Sequence, residues 1–181
     1  MESPVVTLTT DFGTRDPYVG IMKGVILGIC PRARLVDLSH EVAPHDVVEA
    51  ALVLADAVPF FAEGTVHLAV VDPGVGTRRR AVALAVPGAI LVGPDNGVFG
   101  PVWERASAVH PAAPLRAIEL TESSYFLPTV GATFHGRDVF APVAAHLARG
   151  VALEPNLKVS TVTFDADGVT LGLGGAMEDL E

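Results

Sequence analysis

Asp72 is followed by Pro73, Gly74 and Gly76, and then by three consecutive arginines, Arg78 to Arg80. A carboxylate and a guanidinium on one short glycine loop can hold a polar ligand or simply brace the turn as an ion pair. Asp11, in Thr10-Asp-Phe-Gly13, is a second carboxylate at a strand end, where nucleotide-binding α/β folds grip ribose hydroxyls, or it caps the helix that follows. His135, ahead of Gly136, Arg137 and Asp138, is the side chain suited to proton transfer near neutral pH. Asp95 and Asn96, in Gly93-Pro-Asp-Asn-Gly97, supply acceptors and donors at a third strand end, or else only turn chemistry. His40 and His45 invite a metal reading, but no HExxH pattern or cysteine pair accompanies them, and no metal is expected.

These side chains need strands to carry them. Val66 to Val71 is an almost unbroken apolar run interrupted only by His67, as suits a parallel strand covered on both faces. Pro4 to Thr10 and Arg34 to Ser39 read as two further strands. A helix is expected from about Pro17 to Cys30, where Val19, Met22, Val25, Ile26 and Ile29 recur at helical spacing and Pro31 follows. Asp16 is a candidate cap for it. Asp46 is expected to cap a second helix reaching about Val58. Ala81 to Val86 and Ala89 to Gly93, separated by Pro87-Gly88, predict a hairpin and so an antiparallel part of the sheet. Pro101 to Ala106 reads as a short helix, and Ala106 to Leu120 as a weak strand region broken by Pro111 and Pro114. Asp138 is a natural N-cap for a helix to about Arg149, and Thr161 to Phe164 with Val169 to Leu173 predict a last hairpin. The fold class is therefore α/β, a mainly parallel central sheet with helices on both faces. Residues 1–157 are expected to form this domain and 158–181 a hairpin and tail.

Composition excludes several classes. The chain has 181 residues, a net charge of -9 and two lysines, and its one dense basic cluster is Arg78 to Arg80. Nucleic acid needs clustered basic residues against phosphate, so it is not expected as a partner. Cys30 is the sole cysteine and reads as a buried thiol. Neither a basic leader nor an apolar stretch of membrane-spanning length is evident, so a cytoplasmic protein is the expectation. Walker and GxGxxG patterns are missing, and no cofactor is expected.

Five motifs occur in order: Thr9-Thr-Asp-Phe-Gly13, Asp37-Leu-Ser-His40 with Pro44-His-Asp46, Val71-Asp-Pro-Gly-Val-Gly-Thr77, Gly93-Pro-Asp-Asn-Gly97 and Thr133-Phe-His-Gly-Arg-Asp138. Together they resemble the S-adenosyl-L-methionine hydroxide adenosyltransferase family, the adenosine-forming hydrolases related to fluorinase and chlorinase. The resemblance spans roughly residues 5 to 150. It implies attack of water or hydroxide on ribose C5′, with S-adenosyl-L-methionine as substrate and adenosine and methionine as products. The family's Asp-Arg-His triad falls on Asp72, Arg79 and His135, Arg79 being chosen over its neighbours by its spacing from Asp72. Asp11 matches the carboxylate that grips the ribose. His45 occupies the loop where the related halogenases carry an aromatic over the sugar.

Those halogenases have a tyrosine where this chain has Asp72, whose anion would repel a halide but can orient water. A sulfonium is already a good leaving group, so the work lies in presenting an in-line nucleophile. Either His135 or Asp72 can assist as base, and Arg79 is assigned to holding Asp72 and the water. The resemblance further implies a homotrimer in which a β-rich second domain completes the site, a domain expected to be largely missing here. The competing readings are a SAM-dependent halogenase, a nucleoside-binding domain without activity, and an interaction domain whose strand-end motifs are only turns.

Overall fold

The computed structural model describes residues 3–153, together with the backbone of residues 158–165 and 168–174. Its centre is a six-stranded sheet of β1 (Val5–Thr10), β2 (Arg34–Ser39), β3 (Thr65–Val70), β4 (Ala81–Val86), β5 (Ala89–Pro94) and β6 (Arg116–Glu119). The order across the sheet is β2-β1-β3-β5-β4-β6. The β2-β1-β3-β5 portion is parallel, and β4 pairs antiparallel with both β5 and β6. The mainly parallel sheet and the β4–β5 hairpin thus follow the sequence pattern. A separate antiparallel pair, β7 (Lys158–Asp165) and β8 (Gly168–Gly174), occupies the region of the last expected hairpin. The tail from 175 onward lies outside the described residues.

Helices cover both faces. Helices α1 (Tyr18–Ile29) and α4 (Ala141–Ala148) lay Met22, Ile26 and Leu147 on Val6, Leu8, Val66 and Leu68. On the opposite face α2 (Val47–Ala57) and α3 (Gly100–Val109) pack Leu54, Val102 and Trp103 against Ala69, Leu84 and Leu91. Each fully buried aliphatic side chain contributes roughly 1.5–3 kcal/mol. That burial, rather than capping, holds α1: Asp16 makes no capping bond, and the helix starts after Pro17. Asp46 does cap α2, its side chain accepting from Glu49 N at 2.8 Å.

Two local expectations change. Helix α3 continues to Val109, because no breaker precedes Pro111, and the strand expected from Ala106 shrinks to β6 after Pro114, where backbone donors resume. Asp138 is not an N-cap. It lies inside a π-helical turn, Gly136–Phe140, with its own N–H bonded to Phe134 O, and α4 follows at Ala141. Such turns often occur at functional sites. No helix among the described residues is long and apolar enough to cross a membrane.

The topology defines one crevice. From β1 the chain passes through α1 to β2 on one side, then through α2 on the opposite face to β3 on the other side. The β1/β3 boundary is therefore the switch point of the sheet, and ligands of open α/β sheets bind beyond the carboxyl ends of strands at that point. Thr10 and Val70 are register partners there, so Asp11 and Asp72 leave adjacent strands at the same edge.

Deeper in the sheet, His67 on β3 is fully buried, its Nδ1 2.8 Å from the Thr7 hydroxyl of β1. Burial lowers its pKa to about 4. The unfolded chain takes up this proton near pH 6.5, whereas the native imidazole resists until about 4. The native state is therefore expected to lose stability, by up to about 3 kcal/mol, as pH falls through that window. Urea unfolding at a series of pH values checks this. The loss should flatten in a Thr7→Val/His67→Leu double variant, and an unchanged slope would show that other groups cause it.

Candidate active site

The edge beyond β1 and β3 holds an open hollow of about 270 Å³ lined by Asp11, Phe12, His45, Asp72, Val75, Phe134 and His135, among others. Its centre is the loop between β3 and β4. Val75 N–H bonds back to the Asp72 carbonyl at 3.2 Å, and the Thr77 hydroxyl donates to Gly74 O at 2.7 Å. This fold-back returns Arg79 to Asp72. Arg79 Nε donates to Asp72 Oδ1 at 2.8 Å and Oδ2 at 3.0 Å, and Nη2 closes on Oδ2 as a second prong. Both side chains are nearly buried, at 10% and 5% exposure. The guanidinium also lies over the Phe140 ring, 5.0 Å from its centroid.

His135 completes the set. Arg79 Nη2 lies 3.0 Å from His135 Nδ1. Residues 72, 79 and 135, far apart in sequence, are thus connected atom to atom. Two glycines permit the approach. Gly76 has φ +76, and a Cβ there would meet the Ala132 carbonyl oxygen at 2.5 Å, so its loop lies directly on the segment leading to His135. A Cβ on Gly136 would meet Met22 Sδ at 3.2 Å and Val70 Cγ1 at 3.3 Å, a tight fit that glycine avoids where that turn packs against the end of β3.

The contact decides the histidine's protonation. A guanidinium offers N–H donors and no acceptor, so Nδ1 must accept and the ring proton sits on Nε2. Desolvation and the charge of Arg79 lower the His135 pKa, against the opposing pull of Asp72, Asp138 and a backbone hydrogen bond with Gly131. His135 is therefore neutral at pH 7, and its one basic nitrogen is occupied. Asp72 differs. A carboxylate has about four acceptor positions, and Arg79 does not fill them all. Asp72 lines the hollow, so the remaining lone pairs can receive a water proton.

On the other wall, Asp11 Oδ2 accepts from His45 N–H at 2.9 Å. His45 has φ 66, the only positive value at a non-glycine among the described residues. Such a backbone is costly for a side-chain-bearing residue and concentrates at functional sites. It turns the amide of residue 45 onto the carboxylate.

Asp95 and Asn96 do not line this hollow. Arg80 Nε donates to Asp95 Oδ2 at 2.8 Å, so the arginine after Arg79 braces the third strand end. Asn96 donates to Val71 O at 2.9 Å and accepts from Val98 N–H at 3.3 Å. These contacts are those of the turn reading of Gly93-Pro-Asp-Asn-Gly97. Asp138 is likewise structural, accepting from Gly131 N–H at 2.8 Å and from Arg137 Nε at 2.5 Å. Among the described residues no group of three or more His, Cys, Asp or Glu side chains could hold a metal.

Sequence reasoning missed the aromatic wall. Phe12 and Phe134 pack edge to face at 5.8 Å, and Tyr18 meets Phe134 at 5.3 Å. The signal was available: aromatics make up only 6% of the chain, and two of them sit inside the quoted motifs. An acidic pair, one acid neutralised by arginine, in a hollow that Phe12 and Phe134 also line suits a cationic ligand with a flat ring and sugar hydroxyls.

Residues 6–156 match the N-terminal domain of the SAM hydroxide adenosyltransferase family. The (R)-S-adenosyl-L-methionine hydrolase of Salinispora tropica is 46% identical over 179 residues, covering 93% of this chain and 66% of that protein. The enzyme of the same name from Thermus thermophilus is 46% identical over 165 residues, covering 87% of this chain and 63% of its own length. A crystal structure of an uncharacterized conserved protein from Thermotoga maritima aligns with a TM-score of 0.75 at 37% identity, covering 98% of this chain and 61% of that one. The chain thus spans somewhat less than two thirds of the relatives it matches. An extended match of this identity, over the strands and loops that build the hollow, places the chain in the SAM hydroxide adenosyltransferase family.

Proposed function

We propose that the hollow hydrolyses S-adenosyl-L-methionine to adenosine and L-methionine. The observation that carries this reading is the Asp72–Arg79–His135 contact at the switch-point crevice. A water held by Asp72 attacks ribose C5′ in line with the C5′–S bond. The new C5′–O bond forms as the C5′–S bond breaks, and its electron pair leaves on sulfur as the neutral thioether of methionine. The water proton passes to Asp72 and then to solvent. Asp11 receives the ribose hydroxyls, and His45 fixes Asp11 from the backbone while covering the sugar. Arg79 holds the Asp72 carboxylate and, being paired, adds little repulsion toward the sulfonium. His135 fixes Arg79 from the far side and does not serve as the base. Asp95 and Asn96 support the strand end rather than the substrate. About 270 Å³ is just below the usual range of complete ligand sites, which supports a further wall supplied by another copy, as in a homotrimer. No cofactor, metal or nucleic acid enters this reading.

Incubation of the purified protein with S-adenosylmethionine, with and without chloride, tests the reading. Equal amounts of adenosine and methionine, independent of chloride, are expected. A chloride-dependent 5′-chloro nucleoside would point to the halogenase, and adenosine binding without turnover to a binding domain.

The histidine geometry sets a pH dependence. Protonating His135 puts a donor on Nδ1 against the Arg79 donor, and the contact breaks. Its pKa is lowered below the usual 6.5, mainly by desolvation. Activity is therefore expected to hold down through pH 6.5 and to fall only at lower pH. That acid limb should change in His135→Gln, which keeps an acceptor but does not titrate. A limb at or above pH 6.5 in the wild-type protein would contradict this.

A further inference from the structure

The Asp37-Leu-Ser-His40 motif does not line the hollow, yet it is built around one buried side chain. His40 is 5% exposed, and its Nδ1 lies 2.8 Å from the Thr10 hydroxyl. Its Nε2 lies 2.9 Å from Asp37 Oδ1. The second Asp37 oxygen takes Lys23 Nζ at 2.6 Å. Burial pushes the Asp37 carboxyl up in pKa, but its bonds to Lys23 and His40 outweigh this and hold it below the usual range.

The directions of these contacts are fixed by chemistry. In the neutral ring the carboxylate, which offers only lone pairs, keeps the proton on Nε2, and Nδ1 accepts from the Thr10 hydroxyl. Thr10 Oγ1 is then free to accept from Phe12 N–H at 3.3 Å. The His40 carbonyl accepts from Gly13 N–H at 2.7 Å. Thr10, Phe12 and Gly13, the residues around Asp11, are thus all tied directly or through one hydroxyl to a single histidine.

We propose that His40, held between Thr10 and Asp37, is a positioning residue for Asp11, fixing the turn that aims its carboxylate into the hollow. The chain of bonds runs from Lys23 on α1 through Asp37 on β2 to the end of β1, so three elements converge on one ligand-facing acid. The inference rests on the reading of the hollow as a nucleoside site, with Asp11 at the ribose.

Calorimetric titration with adenosine tests it in the wild-type protein, Thr10→Val, Thr10→Ser, Asp11→Asn and the Thr10→Val/Asp11→Asn double variant, with melting temperatures measured alongside. Thr10→Val is expected to bind about tenfold more weakly, and Thr10→Ser, which keeps the hydroxyl, within about twofold of wild type. The double variant should bind no more weakly than Asp11→Asn alone, because the threonine acts only through the acid. Unchanged affinity in Thr10→Val, or losses that multiply in the double variant, would overturn the proposal. If Thr10→Val does not fold, Asp37→Asn at the half-exposed end of the chain replaces it, with a loss of about threefold expected and an unchanged affinity overturning the proposal. A wild-type protein that does not bind adenosine refutes the nucleoside reading instead. Hydrogen exchange at the His45 amide then decides the positioning role: faster exchange in Thr10→Val supports it, and unchanged protection overturns it.

Discussion

Asp72→Asn is expected to lower the rate of adenosine release by about 10²–10⁴-fold, the usual contribution of a positioned acid or base. The substitution keeps size and one acceptor oxygen but leaves the nearly buried Arg79 without its anion, so a lower melting temperature is expected beside the loss of rate. It removes the anion that can take the water proton. It also sets an amide NH₂ beside Arg79, where the carboxylate now receives Nε on both oxygens at 2.8 and 3.0 Å. Arg79 would then face the sulfonium without its neutralising partner. The loss corresponds to about 3–5 kcal/mol of barrier. Adenosine affinity should change much less, because the acid proposed to receive the ribose is Asp11. Single-turnover rates and calorimetry separate the two effects. A rate within threefold of wild type would remove Asp72 from the chemistry.

Arg79→Leu is expected to be the more damaging change to the molecule as a whole. The pair it breaks is nearly buried, at 10% and 5% exposure, and removing one partner of such a pair costs about 3–5 kcal/mol because the other charge is left uncompensated. The stack on Phe140 and the contact to His135 disappear with it. For a chain of this length the melting temperature should fall by about 10 °C, and turnover should be lost. Arg79→Lys should recover part of the stability and little activity. A single ammonium cannot hold both carboxylate oxygens and reach the histidine from a planar fork. A melting temperature within about 2 °C of wild type in Arg79→Leu would show that the pair behaves like a surface ion pair.

Much of this was legible in the sequence because period and position carry it. The apolar run of β3 with its lone histidine, the Pro87-Gly88 turn of the hairpin, the Asp46 cap and the carboxylates at the ends of β1 and β3 are all local signals. The order of five motifs added what no single motif holds. What was not legible is mostly long-range. Spacing singled out Arg79 only through the resemblance, since nothing local distinguishes it from Arg80, which turns to Asp95 instead. Asp95 and Asn96 match a ligand-binding turn as well as they match a brace, and only the tertiary partners Arg80 and Val71 separate the two. Asp138 has the composition of an N-cap. A π-helical turn has no such signature, and the Gly131 amide that claims its carboxylate lies in a preceding loop. The left-handed backbone of His45 was equally hidden, because positive φ is uncommon even at the residue types that favour it and nothing in Pro44-His-Asp46 singles this position out.

The roles of Asp72 and the water meet in one experiment, turnover of S-adenosylmethionine in water enriched in oxygen-18, with mass spectrometry of the nucleoside. Direct attack at C5′ is expected to place one heavy oxygen in the 5′-hydroxyl of adenosine and none in methionine, at a rate that collapses in Asp72→Asn. Adenosine released without the heavy oxygen, or no adenosine at all from the wild-type protein, would contradict hydrolysis in this hollow.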